Sequence, residues 1–532
     1  MPDFGQTKFD NVVLNLGPFE QQFNENRPFF TEGTDLFSKG NLLYTRRIGA
    51  APLFNPQLDD NETIAEFPST VNLLNAVKIS GRNSDGLGIG FLNAITEKTD
   101  VIIKKNTTNS ANEVITEERK ETVSPLTNYN VTVLDQRFNQ NSSVTFINTN
   151  VTRNGDYRDA NVTGLLFDLN TKKNTFNLSG DMKMSSIYGS EIKSGYNTSL
   201  NFAETSGKIR FSASGNYVSN DYDNNDLGIN FQTNYSTLSS NVNYRILNPT
   251  KFFNTLRINL SSYMEYNNTT GRIQGNNFNI NLGGNNKANH YISASFGYNP
   301  FKNYDYYESR QNGKFVIYPE SYNGNIYLST NYNNKFAIDI NPFFTNTLEK
   351  NRYNYGMSIS PRYRFSDKLS LVYSLNLNKQ FNNVGYIDND AVSIYFAKRN
   401  RDTYTNSLTG KYSINSNMNF NLSIRHYWSL AENNSFLILN DDGTLTETIY
   451  TKNKNSNFST WNLDLSYSWW FTPGSQVSIL YRNNAATFDR TINNDFADNF
   501  SNLLSDNLSH VLSVSVRYYI DYNEAKNWFK KA

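Results

Sequence analysis

Apolar and polar residues alternate with period two along most of this chain. From Trp461 onward, Trp461, Leu463, Leu465, Tyr467, Trp469 and Phe471 share one face, and Asn462, Asp464, Ser466 and Ser468 share the other. Alternation sustained over about ten residues is what a membrane-crossing barrel strand requires, whereas strands of soluble sandwiches are usually shorter. Aromatics cap the apolar face. Trp461 and Trp469 are separated by about 26 Å along a strand, or about 20 Å of depth at a tilt near 40°, roughly the height of a lipid-facing band.

The pattern recurs. Leu256, Ile258, Leu260, Met264 and Tyr266 oppose Arg257, Asn259, Ser261 and Glu265. Similar apolar rows are Phe176, Leu178, Met182 and Met184; Ile209, Phe211, Ala213 and Tyr217; Ile292, Ala294, Phe296 and Tyr298; Met418, Phe420, Leu422, Ile424 and Trp428; and Leu512 through Tyr522. Turn signals stand between such rows at Asn154-Gly155, Asn323-Gly324, Asp442-Gly443 and Pro473-Gly474. The sequence therefore predicts an all-β protein, a large antiparallel transmembrane β-barrel of about 20 to 22 strands over residues 66–522, with an even number expected for one bacterial chain.

Residues 1–65 lack the alternation, carry Pro2, Pro18, Pro28, Pro52 and Pro56, and hold a short helical candidate from Gly33 to Lys39. A barrel this wide commonly holds a constricting segment, so these residues are read as a plug-like segment inside or beneath it, with a disordered linker as the competing reading. Residues 523–532 lose the period and read as a short tail.

Composition changes the picture in three ways. A mean hydropathy of −0.61 suggests a soluble or disordered chain, yet 35 Tyr and 37 Phe are too many for disorder. A barrel reconciles the two, because lumen-facing polar residues offset the greasy face and the 86 Asn supply turns and lumen. No run approaches the roughly 18 to 20 apolar residues of a membrane helix. Balanced charge, 49 Lys+Arg against 48 Asp+Glu, argues against a nucleic-acid partner, and the absence of Cys removes disulfides, thiolate metal sites and cysteine nucleophiles.

The strings Phe19-Glu20, Arg27-Pro28-Phe29-Phe30-Thr31-Glu32-Gly33-Thr34-Asp35-Leu36-Phe37 and Tyr44-Thr45-Arg46-Arg47-Ile48-Gly49 resemble an uncharacterised outer-membrane barrel family of Bacteroidota. So do Lys78-Ile79-Ser80-Gly81-Arg82 and Gly88-Ile89-Gly90-Phe91-Leu92-Asn93-Ala94. The motifs are confined to about residues 2–95. Full-length members of that family carry a signal peptide and a module similar to family-9 carbohydrate-binding domains before the barrel. The resemblance implies a location in the outer membrane of a Gram-negative bacterium, contact with its lipid and with an upstream module or other outer-membrane proteins, and a link to glycan handling. It implies no activity, and this chain is expected to be the barrel part of a longer protein.

Candidate chemistry is sparse. The three histidines, His290, His426 and His510, each have Ser three residues on, a spacing that places the two side chains on opposite faces of one strand. Their parity is that of the apolar residues, so they are expected in the lipid-interface girdle with Trp428, Trp461 and Trp469. Asp221, Asp223, Asn225 and Asp226 imitate the start of a calcium loop but lack its sixth-position Gly and twelfth-position Glu, where Gln232 stands. That cluster, like Asp388-Asn389-Asp390, reads as a solvated hairpin tip. No metal, cofactor or catalytic set is expected.

The lumen-facing parity carries Lys183, Arg210, Arg257, Arg362, Arg364, Arg425, Arg482 and Arg517 against Asp181, Glu265, Asp464 and Asp521. Such a lining favours anionic solutes, or pairs with acids across the wall. In the N-terminal segment, Arg27, Glu32, Arg46 and Arg47 are expected to anchor it to the barrel. The sequence thus predicts an outer-membrane channel or transport-type protein and not an enzyme. A scaffold subunit of a larger assembly and a barrel-embedded hydrolase stand as the alternatives.

Overall fold

The computed structural model describes residues 21–25, 27–31, 33–108, 114–505, 508–519 and 526. Among them 22 strands form one antiparallel sheet that closes as a barrel, and no helix is long and apolar enough to cross a membrane. The predicted tail, apart from residue 526, and part of the N-terminal segment lie outside the described residues.

Two compact units divide the chain. The described residues of the first fall within 22–240 and 265–271, and those of the second are residue 21 and those within 241–264 and 272–519, with residue 526. The first holds a one-turn helix α1 (Pro28–Thr31), then β1 (Glu62–Ile64), β2 (Leu73–Arg82), β3 (Leu87–Thr96), β4 (Thr99–Thr108), β5 (Val114–Ser124) and β6 (Thr127–Phe138). It continues with β7 (Ser142–Arg153), β8 (Asp159–Asn170), β9 (Phe176–Tyr188), β10 (Ile192–Glu204) and β11 (Ile209–Val218). β1, β4 and β5 make a separate three-stranded sheet. The units meet in sequence within β12 (Tyr235–Ile246) and β13 (Phe253–Asn267).

In the first unit β3 is apolar on both faces, which alternation alone does not explain. β3 exposes Ile89 and Phe91 outward and buries Gly88, Gly90, Leu92 and Ala94 inward; β6 buries Tyr129, Val131, Val133 and Asp135. The inward row is covered by the N-terminal segment. A Cβ placed on Gly88 would lie 2.8 Å from Leu36, one on Gly90 3.2 Å from Phe37, and one on Gly164 3.3 Å from Leu42, so these glycines let the segment approach the backbone. Phe30, Leu36, Phe37, Leu42 and Ile48 join Leu92, Val131, Val133 and Ile147 in one core. Burying that many large side chains contributes on the order of 10 kcal/mol gross to docking the segment.

The second unit continues with β14 (Ile273–Asn286), β15 (Tyr291–Asn299), β16 (Asn303–Asp305), β17 (Val316–Tyr318), β18 (Ser321–Ser329), β19 (Phe336–Thr347) and β20 (Tyr353–Arg364). Then come β21 (Leu369–Asn389), β22 (Ile394–Ser413), β23 (Met418–Leu439), β24 (Leu445–Thr448), β25 (Ser456–Thr472), β26 (Ser475–Asp489), helix α2 (Phe496–Ser505) and β27 (Ser509–Arg517). The expected turn at Asn323-Gly324 is a correction: both residues lie inside β18, where Gly324 makes room for the Phe344 ring. Gly155, Gly443 and Gly474 do occupy turns, with φ of 94°, 83° and 78°.

β21, β22 and β23 are about twice the length a bilayer needs. Their distal halves bury Val384, Ile394, Phe396 and Leu437 against Val316 of the small β16–β17 hairpin. β20 pairs with β21 only as far as Phe381, leaving residues 382–389 with one free edge. The loop before β18 occupies that edge: Glu308 accepts the Tyr386 N–H at 2.9 Å, and Tyr318 Oη donates to the Val384 carbonyl at 3.5 Å. Elsewhere β23 pairs with β25 over Met418–Ala431 and with the four-residue β24 beyond it.

Candidate functional site

The inward side of the first unit is built around one buried carboxylate. Asp135 is fully buried and accepts hydrogen bonds from the Arg82 guanidinium and from Thr145 Oγ1 at 2.6 Å, while Lys39 Nζ stands 3.3 Å away. Lys39 belongs to the N-terminal segment, and Arg82 and Asp135 belong to the wall, so this triad ties one to the other. A second tie is Lys78, which donates to the Phe29 carbonyl and sits 5.0 Å over its ring.

The predicted anchors act differently. Arg27 makes two hydrogen bonds to Glu25, donates to the carbonyls of Thr45 and Ile48 at 2.7 Å, and stacks 4.3 Å over Phe30. It therefore folds the segment on itself. Burial alone would raise the Glu25 carboxyl, but hydrogen bonds from Arg27 and Thr45 outweigh it and hold the group at about 2. Arg46 binds the Asn24 carbonyl, Arg47 reaches the Gly228 carbonyl at 3.2 Å, and Glu32 lies outside the described residues.

Gly228 belongs to the loop between β11 and β12, which folds back on the wall. Its Leu227 carbonyl accepts the Tyr44 N–H, and its Asp226 accepts hydrogen bonds from Arg153 at 2.6 Å and Arg158 at 2.8 Å. The Asp226 side chain is almost wholly buried and Asp223 faces Arg158, so the expected solvated tip is corrected for these two residues, while Asp221 is exposed. Among the described residues no group of His, Asp or Glu is arranged to hold a metal ion. Nearby, Lys39, Asp168 and Asp181, with Leu166 and Phe167, line a cavity of about 240 Å³.

The basic lining residues are dispersed. Lys183 pairs with Asp181 at 3.3 Å, and Arg210 touches only the Gly207 carbonyl at 3.4 Å. In the second unit Arg257 is exposed, Arg362 stacks 4.1 Å over Tyr332, Arg364 donates to the Tyr332 carbonyl, and Arg517 lies 5.5 Å over Trp470. Two are brought together: Arg482 grips Asp464 through both oxygens at 2.7 and 2.8 Å, and Arg425 donates to neighbouring Asn462 at 2.7 Å. Sequence reasoning missed Lys39, Arg82 and Asp135, although Val131-Thr132-Val133-Leu134, apolar on both parities, signals a covered inner face.

The girdle expectation needs correction at its upper end. His426, Trp428 and Trp461 do share the outward face with Leu422, Ile424 and Leu463, but α2 lies across them. Phe500 packs edge-on to His426 at 5.2 Å and to Trp461 at 5.5 Å, and Leu503 is fully buried. Asp495 starts the helix by accepting the Asp498 N–H at 3.0 Å. Beneath it, His426 Nε2 is 3.2 Å from Ser459 Oγ. Trp469 is exposed, His290 accepts the Asn331 N–H at 3.0 Å, and His510 contacts Tyr481 Oη at 2.9 Å.

These features define an antiparallel β-barrel of outer-membrane type with an apolar outer face and an N-terminal segment docked on its inner wall. The chain belongs to the family described as "Domain of unknown function (DUF5916)", which it matches over residues 1–529, well beyond the motif-bearing first hundred residues. No curated protein matches it. Among solved structures it is similar to "Copper transporter OprC", with 8% identity, 77% of this chain and 76% of that chain covered, and a TM-score of 0.29. It is also similar to the "P pilus usher (PapC) translocation pore", with 9% identity, 78% and 95% covered, and a TM-score of 0.24. Likenesses this distant carry no functional argument.

Proposed function

We propose that the protein is a channel-type barrel of a Gram-negative outer membrane in which the N-terminal segment, through residues 30–48, forms a fixed partial plug. The observation that supports this best is the contrast between two inner faces. In the first unit the inner wall carries a large apolar cluster covered by the segment, with polar groups at Asp135 and around Asp181; in the second it is polar, with Arg257 exposed and Arg425, Asn462, Asp464 and the buried Arg482 in a hydrogen-bonded row. A polar, charged lining serves passage of hydrophilic solutes, and its arginines favour anions.

The projecting halves of β21 to β23 favour a second reading, a scaffold whose packed distal face binds other outer-membrane proteins. An upstream carbohydrate-binding module and a link to glycans enter only through the family resemblance. Single-channel recording in planar bilayers separates the readings. We expect small, anion-preferring events from the full chain and larger ones from the Asp135→Asn chain, whose plug is loosened. If both fold and neither conducts, transport is abandoned in favour of the scaffold.

A further inference from the structure

Three strands bring Asn406, His426 and Ser459 together on the outward wall of the second unit. Asn406 and His426 are direct register partners, and Ser459 is partnered with Trp428, two residues along the same face. His426 Nε2 lies 3.2 Å from Ser459 Oγ, and His426 Nδ1 lies 3.3 Å from the Asn406 side-chain amide. We propose that these residues form a serine hydrolase site, lidded by α2, that cleaves the acyl esters of glycerophospholipids in the surrounding leaflet.

The heavy-atom geometry is that of nucleophile, base and orienting group, a constellation recognised by geometry and not by sequence spacing. Rotating the Asn406 amide by 180° presents its oxygen to His426 Nδ1–H and its NH₂ to Tyr373 Oη, which now donates to that oxygen at 2.8 Å. That tautomer leaves Nε2 free to accept the serine proton.

Placement supplies the substrate. These polar groups stand beside Leu408, Ile424 and Leu463 on a face where a polar side chain is costly unless it is hydrogen-bonded. Trp461, the register partner of His426, lies eight residues along β25 from the exposed Trp469, about 20 Å of depth, so the site sits at the far edge of the lipid-facing band. Interfacial aromatics lie at headgroup level, next to the ester linkages of the lipids.

α2 supplies the gate. His426 is 4% exposed, with Phe496 and Phe500 packed edge-on against its ring, and Ser459 beside it on the same face is 2% exposed. Asn457, on the same face as Ser459, accepts the Trp428 Nε1–H at 3.0 Å and spends its own NH₂ on Asn499 of α2 at 2.7 Å. Displacing the helix uncovers the serine and frees that NH₂, held in orientation by Trp428, as a donor to the developing oxyanion.

In the reaction Ser459 Oγ attacks the ester carbonyl carbon as its proton passes to His426 Nε2. The ester C–O bond then breaks, and the same proton goes to the departing glycerol oxygen, which leaves as lysophospholipid. Water attacks the acyl-serine, giving one proton to His426; the C–Oγ bond breaks, the proton returns to Ser459, and the fatty acid departs. Ester and water are converted to acid and alcohol without a further reactant.

The test uses the full chain in mixed micelles with phosphatidylethanolamine, read by free fatty acid release, together with a fluorophosphonate probe located by mass spectrometry. We expect label on Ser459, loss of release by roughly a hundredfold or more in Ser459→Ala and His426→Gln, and faster release in Phe500→Ala, which loosens the lid. Asn406 is a positioning residue, so Asn406→Ala is expected to shift the pH profile as well as lower the rate. The proposal is overturned if Phe500→Ala, folded by its heat-modifiable mobility, neither takes label nor releases fatty acid, or if release persists in Ser459→Ala. Conductance is scored separately, so either reading can fail alone.

Discussion

Replacing Asp135 by Asn keeps the shape of the buried centre and removes its charge. Arg82 and Lys39 then face each other without the carboxylate that neutralises them, and removing one partner of a buried ion pair costs about 3–5 kcal/mol. Their side chains are 20% and 27% exposed, which places the loss near the lower end. About 3 kcal/mol raises the population of the undocked segment roughly a hundredfold. Trypsin reads that population at Arg46 and Arg47, provided cleavage is slow relative to redocking. Lys39→Gln, which leaves the Arg82–Asp135 pair, is expected to cost about 1 kcal/mol and accelerate cleavage several-fold. Cleavage of Asp135→Asn within twofold of the parent rate, in chains that remain folded barrels, would show that apolar packing alone holds the segment.

Leu36→Ala should loosen the same docking by about 2–5 kcal/mol through the cavity it leaves under Gly88, visible as faster hydrogen exchange in residues 33–50 with the strands unaffected. Because the Glu25 carboxyl is held at about 2, below its usual 4.5, its contribution is complete above pH 4.5 and is lost as pH falls toward about 2. Protection of the segment should decline over that window, and Glu25→Gln should remove the dependence. Asp464→Asn frees the guanidinium of Arg482 from its two-oxygen grip, so the reversal potential in a salt gradient should move toward greater anion preference; an unchanged potential would place Arg482 outside the conducting path.

The outer face was legible because lipid demands strict alternation: rows such as Leu463, Leu465 and Trp469 on β25 translate directly into strands. The inner assembly was not, because what Lys39 meets depends on which strand closes beside it, and Asp135 is ninety-six positions away in sequence. Arg27 was legible as important but not in its role, since its partners Glu25, Thr45 and Ile48 lie within its own segment. The pairing of His426 with Ser459 was hidden for a related reason. Along its own strand His426 stands three residues from Ser429, while the contact runs sideways across a hairpin joined through β24. Register, not spacing, decides such neighbours.

Glu308 seated on the free margin of β21 has a consequence for barrels packed among other barrels. An unpaired strand that long invites another chain to add to it, seeding aggregates. The carboxylate takes the Tyr386 amide that a newcomer would need, and the Tyr318 hydroxyl takes the Val384 carbonyl. The barrel can therefore raise tall hairpins into its surroundings while keeping their flank sealed, and individual copies can stand side by side in a membrane without knitting together.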